Sequence, residues 1–257
     1  MKAALCISGN YRNYKETIYN IKQFSKLFKH CDIFMIYDIT EKKKETDEIV
    51  KILKPKIFKS IKSIDDCANI NMFYKIKESY SICEDYMNKF NLKYDIIIRC
   101  RYDILLYNDK NINLNEIDIK DNSLYICKPK NKFFKSVQNI IYFLEKFIID
   151  EFFFGNPKTM KTYCIDFYNL LKKSKNKCLD YNLSEVNLFR FSNFLNTKII
   201  KIPFYYELNA FKKDFIGYSL IKLKKYPSFF KCLKNIKLYL IIIIVILIVI
   251  IIKEKLK

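Results

Sequence analysis

The sequence predicts an α/β protein built on a mostly parallel sheet covered on both faces by helices. Three observations carry this. Short β-branched or aromatic runs alternate with helical stretches from Ala3 to Ile202, the pattern of strands joined by crossover helices. The first run, Ala3–Ile7, ends in Ser8-Gly9-Asn10-Tyr11-Arg12 and leads into a helix starting near Tyr14, the layout of a nucleotide-binding first loop. A central stretch, Tyr94–Leu106 (YDIIIRCRYDILL), reads as a buried strand with charged residues near its C-terminal end.

In chain order, Ile18, Ile21, Phe24 and Phe28 fall at helical spacing after the first loop. Asp32–Asp38 (DIFMIYD) is a second buried strand, and Glu41–Leu53 is charged enough to be a solvated helix. Pro55 breaks that pattern, so Lys56–Ile61 reads as an edge-like strand. Met72, Ile76, Cys83, Met87 and Phe90 mark a long amphipathic helix over Asn71–Asn91. Beyond the central stretch, Leu124–Cys127 is a short strand, followed by a basic loop, Lys128–Lys132. Helical spacing recurs over Phe133–Phe147. Asp150-Glu151-Phe152-Phe153-Phe154-Gly155 places two acids before an aromatic strand. Asn156-Pro157 then starts a helix, with Asn at the N-cap and Pro at the first helical position. Met160, Tyr163, Cys164, Phe167 and Leu171 form its apolar stripe. Ser184-Glu185 starts a further helix, with Ser as cap; that structural role and a functional one are equally open for the glutamate. Lys198–Ile202 is a late strand, followed by Pro203 and an aromatic loop.

The chemistry concentrates in the central stretch. If it is one continuous strand, Asp95, Arg99, Arg101 and Asp103 all point to one face. Charges there are costly unless they are paired or bind something. In open α/β sheets, ligands sit outside the carboxyl ends of the strands. Guanidinium forks suit phosphate oxygens, and a carboxylate suits a hard divalent cation. A diphosphate with its metal would satisfy all three groups; a half-exposed Arg–Asp ladder is the alternative. In the first loop, Gly9 would let backbone approach a ligand, and Arg12 could reach a phosphate or base.

At 257 residues with 51% hydrophobic content, the chain has room for a core and for one large domain or two small ones. The net charge of +20 favours anionic partners, although the abundance of Lys, Ile and Asn also looks like the codon bias of an AT-rich genome. Nine cysteines, with no C-x-x-C pair, argue against zinc and for a reducing compartment. The opening apolar run is too short for a signal peptide. Residues 212–237 are basic and aromatic, and Leu238–Ile252 is apolar throughout with lysines on both sides. That run is expected to be a C-terminal membrane anchor, with snorkelling lysines and the main domain, 1–211, on the cytoplasmic side. A buried core helix is the other reading of a run this short.

ALCISGNYR (Ala4–Arg12), DIIIRCRYD (Asp95–Asp103), DEFFFGN (Asp150–Asn156) and Ser184-Glu185 resemble, in order and spacing, a glycosyltransferase family of large DNA viruses and some microbes. That family looks like nucleotide-diphosphosugar transferases of the GT-A type. The resemblance implies a GT-A-like fold over Met1–Ile202, a nucleoside-diphosphate sugar donor, and a glycan, protein or lipid acceptor. It implies that Asp103 stands where the last Asp of a metal-binding D-x-D motif would be, holding Mn²⁺ or Mg²⁺. Arg101 takes the place of the first Asp, a departure that puts metal dependence in question. Ser8, Gly9 and Arg12 would sit under the nucleoside, and Arg99 and Arg101 on the diphosphate. Asp150 or Glu151 would be the base for the acceptor hydroxyl. Two other classes stay open: a membrane-attached scaffold that has lost this chemistry, and a basic nucleic-acid-binding protein. For the last, no specific nucleic-acid motif appears.

Overall fold

Ala3, Ala4, Leu5, Cys6 and Ile7 are all buried, which is possible only where both faces of their strand are covered. The computed structural model describes residues 1–64, 68–108, 111–129, 151–173, 188 and 191–208, and places this strand, β1 (Lys2–Ser8), inside an eight-stranded sheet. The other strands are β2 (His30–Asp38), β3 (Ile57–Ile61), β4 (Ile96–Cys100), β5 (Ile104–Tyr107), β6 (Ser123–Pro129), β7 (Phe152–Gly155) and β8 (Lys198–Leu208). Their order is β3-β2-β1-β4-β7-β6-β8-β5. The first four run parallel, β7 runs against both β4 and β6, and β5 runs against β8. The chain divides into two units, Met1–Ala210 and Phe211–Lys257, and the second lies outside the described residues.

The faces follow from strand alternation. Helix α1 (Tyr14–Ser25) packs on one side, where Phe24 meets Phe152 and Phe204 edge-on at 5.6 and 5.5 Å. Helix α2 (Lys43–Leu53) buries Thr46, Ile49 and Leu53, so the stretch predicted to be solvated has one apolar face. On the other side, α3 (Ala68–Phe90) covers Ala4, Cys6, Phe34 and Ile36. Beside it lies a helix in three parts: α4 (Pro157–Lys161), a π-helical turn (Thr162–Asp166) and α5 (Phe167–Lys173). Its stripe of Met160, Tyr163, Cys164, Phe167 and Leu171 is buried, and Phe73 meets Phe167 edge-on at 4.8 Å. Asn156 caps it, its Oδ1 accepting the Thr159 N–H at 2.8 Å.

Two expectations need correction. The central stretch is two strands, since β4 ends at Cys100 and β5 pairs with β8 at the far edge. The late strand runs on through Pro203 to Leu208. Opposite Ile126 and Lys128, β8 presents Lys201 and Tyr205, so it carries extra residues there; Pro203 lies in that bulge, where the ladder does not need its missing N–H. The outer edge of β5 is occupied from α1: the Asn20 amide accepts the Leu106 N–H at 2.7 Å and donates to the Leu106 carbonyl at 2.9 Å. The expected helix over Phe133–Phe147 and the apolar run Leu238–Ile252 lie outside the described residues; so do Ser184 and Glu185, while Leu188 and residues 191–194, which follow them, are helical. Among the described residues no helix is long and apolar enough to cross a membrane.

Candidate functional site

The carboxyl ends of β1, β2 and β4 lie side by side, and the polar residues gather there. β1 ends at Ser8, whose buried hydroxyl makes no hydrogen bond among the described residues. Gly9 follows with φ +137°, a conformation L side chains rarely adopt. A Cβ on Gly9 would lie 3.9 Å from the Arg101 Cγ, so this loop rests on the stem of Arg101. Asn13, in the left-handed region at φ 50°, then turns the chain into α1. Arg12 is exposed.

Arg99 is placed differently from the expectation. Only 2% exposed, it donates through Nη1 to the Ser8 carbonyl at 2.9 Å and to the Cys100 carbonyl. The guanidinium thus ties the ends of β1 and β4 together from within. Beside it are the thiols of Cys6 and Cys164; burial pushes both up from their ordinary values, with Arg99 pulling the other way. Asp95 is at the opposite end of β4, where its Oδ2 accepts the Lys2 main-chain N–H at 2.6 Å. Arg101 and Asp103 therefore do not continue the row of Arg99, because strand alternation stops at Cys100, and Asp95 is removed from all three at the other end of β4.

The three residues after β4 form a turn. Tyr102 points inward, fully buried, with its hydroxyl donating to the Ile36 carbonyl at 3.0 Å. Its own carbonyl accepts the Thr17 hydroxyl of α1. With Tyr102 turned in, its two neighbours close on each other. Arg101 Nε donates to Asp103 Oδ1 and Nη2 to Oδ2, both at 2.7 Å. The Arg101 side chain is 20% accessible and that of Asp103 is 1%.

Glu151 enters from β7. Cys100 lies opposite Phe152 in that antiparallel pair, so the residue before Phe152 falls at the same sheet end as Arg101. Glu151 is nearly buried, at 9%. Asp150 lies outside the described residues.

Sequence reasoning missed the support around the loop. Tyr11 is buried, its ring edge-on to Tyr102 at 4.8 Å, and its N–H donates to Glu41 Oε1 at 3.3 Å. Burial pushes its phenol above the ordinary value, so it stays protonated. At the end of β2, Asp38 accepts from Lys75 Nζ at 2.9 Å, Ser63 Oγ at 2.9 Å, and the Thr40 N–H and hydroxyl at 3.0 and 2.8 Å. Burial alone would raise the Asp38 pKa, but these hydrogen bonds together hold it well below the usual carboxylate range. Tyr102 was adjacent to the predicted residues; Lys75 gave no signal, being one of many helix lysines. Among the described residues no cluster of three His, Cys, Asp or Glu side chains could hold a metal ion.

No protein-family model and no curated protein matches the chain. Solved structures do, at low similarity. One is a glycosyltransferase involved in the glycosylation of the major capsid of PBCV-1: 9% identity over 79% of this chain and 82% of that one, TM-score 0.45. Another is described as a nucleotide-diphospho-sugar transferase from Desulfovibrio desulfuricans G20: 11% identity, 79% and 80% coverage, TM-score 0.46. A third is the glycosyltransferase GlyE of Streptococcus pneumoniae TIGR4: 14% identity, 79% and 45% coverage, TM-score 0.43. Likeness at this level does not assign a function.

Proposed function

We propose that the protein is a glycosyltransferase that moves a sugar from a nucleoside-diphosphate donor to an acceptor hydroxyl. The observation that carries this reading is the meeting, at one end of the parallel strands, of a glycine loop, a solvent-reaching guanidinium and a carboxylate from a third strand. The Gly9 loop would let main chain lie close to the donor, and Arg101 below it would neutralise the diphosphate. Arg99, buried behind both, sets their spacing. In the reaction, the acceptor oxygen forms a bond to the anomeric carbon. The bond from that carbon to the diphosphate breaks, and its electron pair leaves with the nucleoside diphosphate. Negative charge grows on the leaving group, where a fixed guanidinium lowers the barrier. The acceptor's proton passes to Glu151 or Asp150 as general base. The apolar run Leu238–Ile252 would hold the protein at a membrane, with the catalytic unit on the cytoplasmic side.

The test is to incubate the full chain with uridine-, guanosine- and thymidine-diphosphate sugars and measure released nucleoside diphosphate. Release by the wild type is expected with at least one donor. Glu151→Gln or Asp150→Asn should lower it by roughly a hundredfold to ten-thousandfold, the usual loss for a general base, while the donor still binds. A wild type that neither binds nor turns over any of these donors refutes the reading.

A further inference from the structure

A divalent cation on Asp103 is what a D-x-D-like position implies, and the residues here do not fit one. Magnesium or manganese needs carboxylate oxygens with open lone pairs facing the space that the phosphates enter. Both Asp103 oxygens instead accept from the Arg101 fork at 2.7 Å. The carboxylate is 1% accessible and Arg101 is 20%, so a ligand coming from solvent meets the cation of the pair first. Gly9 lies across the arginine stem, and Thr17, through the Tyr102 carbonyl, fixes the turn between the two charges. Among the described residues Asp103 belongs to no group of three His, Cys, Asp or Glu side chains that could hold a metal ion. The pair has the form of an anchored guanidinium: the aspartate aims it, and the arginine is the member that reaches solvent.

We propose that this site takes the diphosphate of its nucleotide ligand without a divalent metal, with Arg101 as the fixed cation and Asp103 as the residue that positions it. The inference rests on the nucleotide-sugar reading above. Asp103 then acts through Arg101 and does not touch the ligand. A planar fork held at two nitrogens gives bidentate recognition that a lysine at the same position cannot reproduce.

The experiment is calorimetric titration of the full chain with uridine diphosphate, guanosine diphosphate and thymidine diphosphate, once with EDTA and once with Mn²⁺ in excess. The expected result is binding of one of them with the same Kd in both conditions. Arg101→Met should weaken that binding roughly ten- to a hundredfold, the loss of one or two charge-assisted hydrogen bonds. Arg101→Lys should recover only part of it. Asp103→Asn should weaken binding equally with and without Mn²⁺, which separates positioning from metal ligation. Binding that requires Mn²⁺, or tightens tenfold or more with it, overturns the metal-free inference and leaves the glycosyltransferase reading standing. Binding to none of the three nucleotides in either condition overturns both. The wild-type comparison needs no variant, so a misfolded mutant does not blunt the test.

Discussion

Replacing Lys75 with Met should destabilise the protein far more than removing a surface lysine. Lys75 and Asp38 are 8% and 5% exposed, and their charges are 2.9 Å apart. At an effective dielectric of about 20, that attraction is about 6 kcal/mol. Removing the cation leaves a buried carboxylate whose remaining donors among the described residues are Thr40 and Ser63. Methionine keeps the packing of the stem, so the loss should be close to that of breaking a buried pair, about 3–5 kcal/mol. For a domain this size, that lowers the midpoint of thermal unfolding by roughly 6–20 °C. Asp38→Asn added to Lys75→Met should recover part of the loss, since the uncompensated charge is then gone. The pH dependence has a definite sign. Asp38 takes up its proton at a lower pH folded than unfolded, so its stabilisation is complete above the ordinary carboxylate pKa, about 4. It is lost as the pH falls below that value, because the unfolded chain then binds the extra proton. Lys75→Met should flatten this acid slope. Urea and thermal unfolding by circular dichroism, from neutral pH to about pH 3, would measure both. A loss under about 1 kcal/mol, the value of an exposed pair, with an unchanged acid slope would refute the reasoning.

Gly9→Ala should cost about 1–3 kcal/mol from backbone strain at φ +137°, because the 3.9 Å approach to Arg101 is ordinary contact; chemical denaturation measures it, and nucleotide titration should show weaker binding if the loop shifts to relieve strain. Asn156→Ala should cost about 1 kcal/mol by removing the cap on the Thr159 N–H, read as a lower urea midpoint with an unchanged slope.

Much of this architecture is legible in local sequence, and the exceptions share a cause. Asn156-Pro157 announces its own helix start, because the cap and the fixed φ are properties of two adjacent residues. Gly9 and Asp103 stand out in the sequence because strand ends and charges contrast with apolar runs. The break after Cys100 was not legible: IIIRCRYDILL alternates well enough to pass for one strand. What ends it is Tyr102, held inward by Ile36 and Thr17 from elsewhere in the chain. Arg99 was assigned to the ligand by continuing that alternation, yet it bonds to the carbonyls of Ser8 and Cys100. The Arg101–Asp103 fork needed only two-residue spacing, but its closure depends on the same turn. Lys75 reaches Asp38 from a helix 37 positions further on, a pairing that no local pattern specifies.

The grip of Asn20 on Leu106 bears on how the protein behaves in a crowd of its own copies. A terminal strand normally displays an unpaired row of N–H and C=O groups, a template onto which another chain can zip. On β5 that row is interrupted at Leu106, where a helix side chain imitates the next strand with one acceptor and one donor. An incoming strand would have to evict the amide before it could register. β3, at the opposite margin, has no such plug among the described residues; Lys56 precedes it and Lys59 lies within it, both half exposed and paired with Asp32 at 3.5 Å and Glu78 at 3.4 Å. The two margins are thus guarded by different means, one by occupying the hydrogen bonds and the other by charged side chains that an incoming apolar strand would have to desolvate.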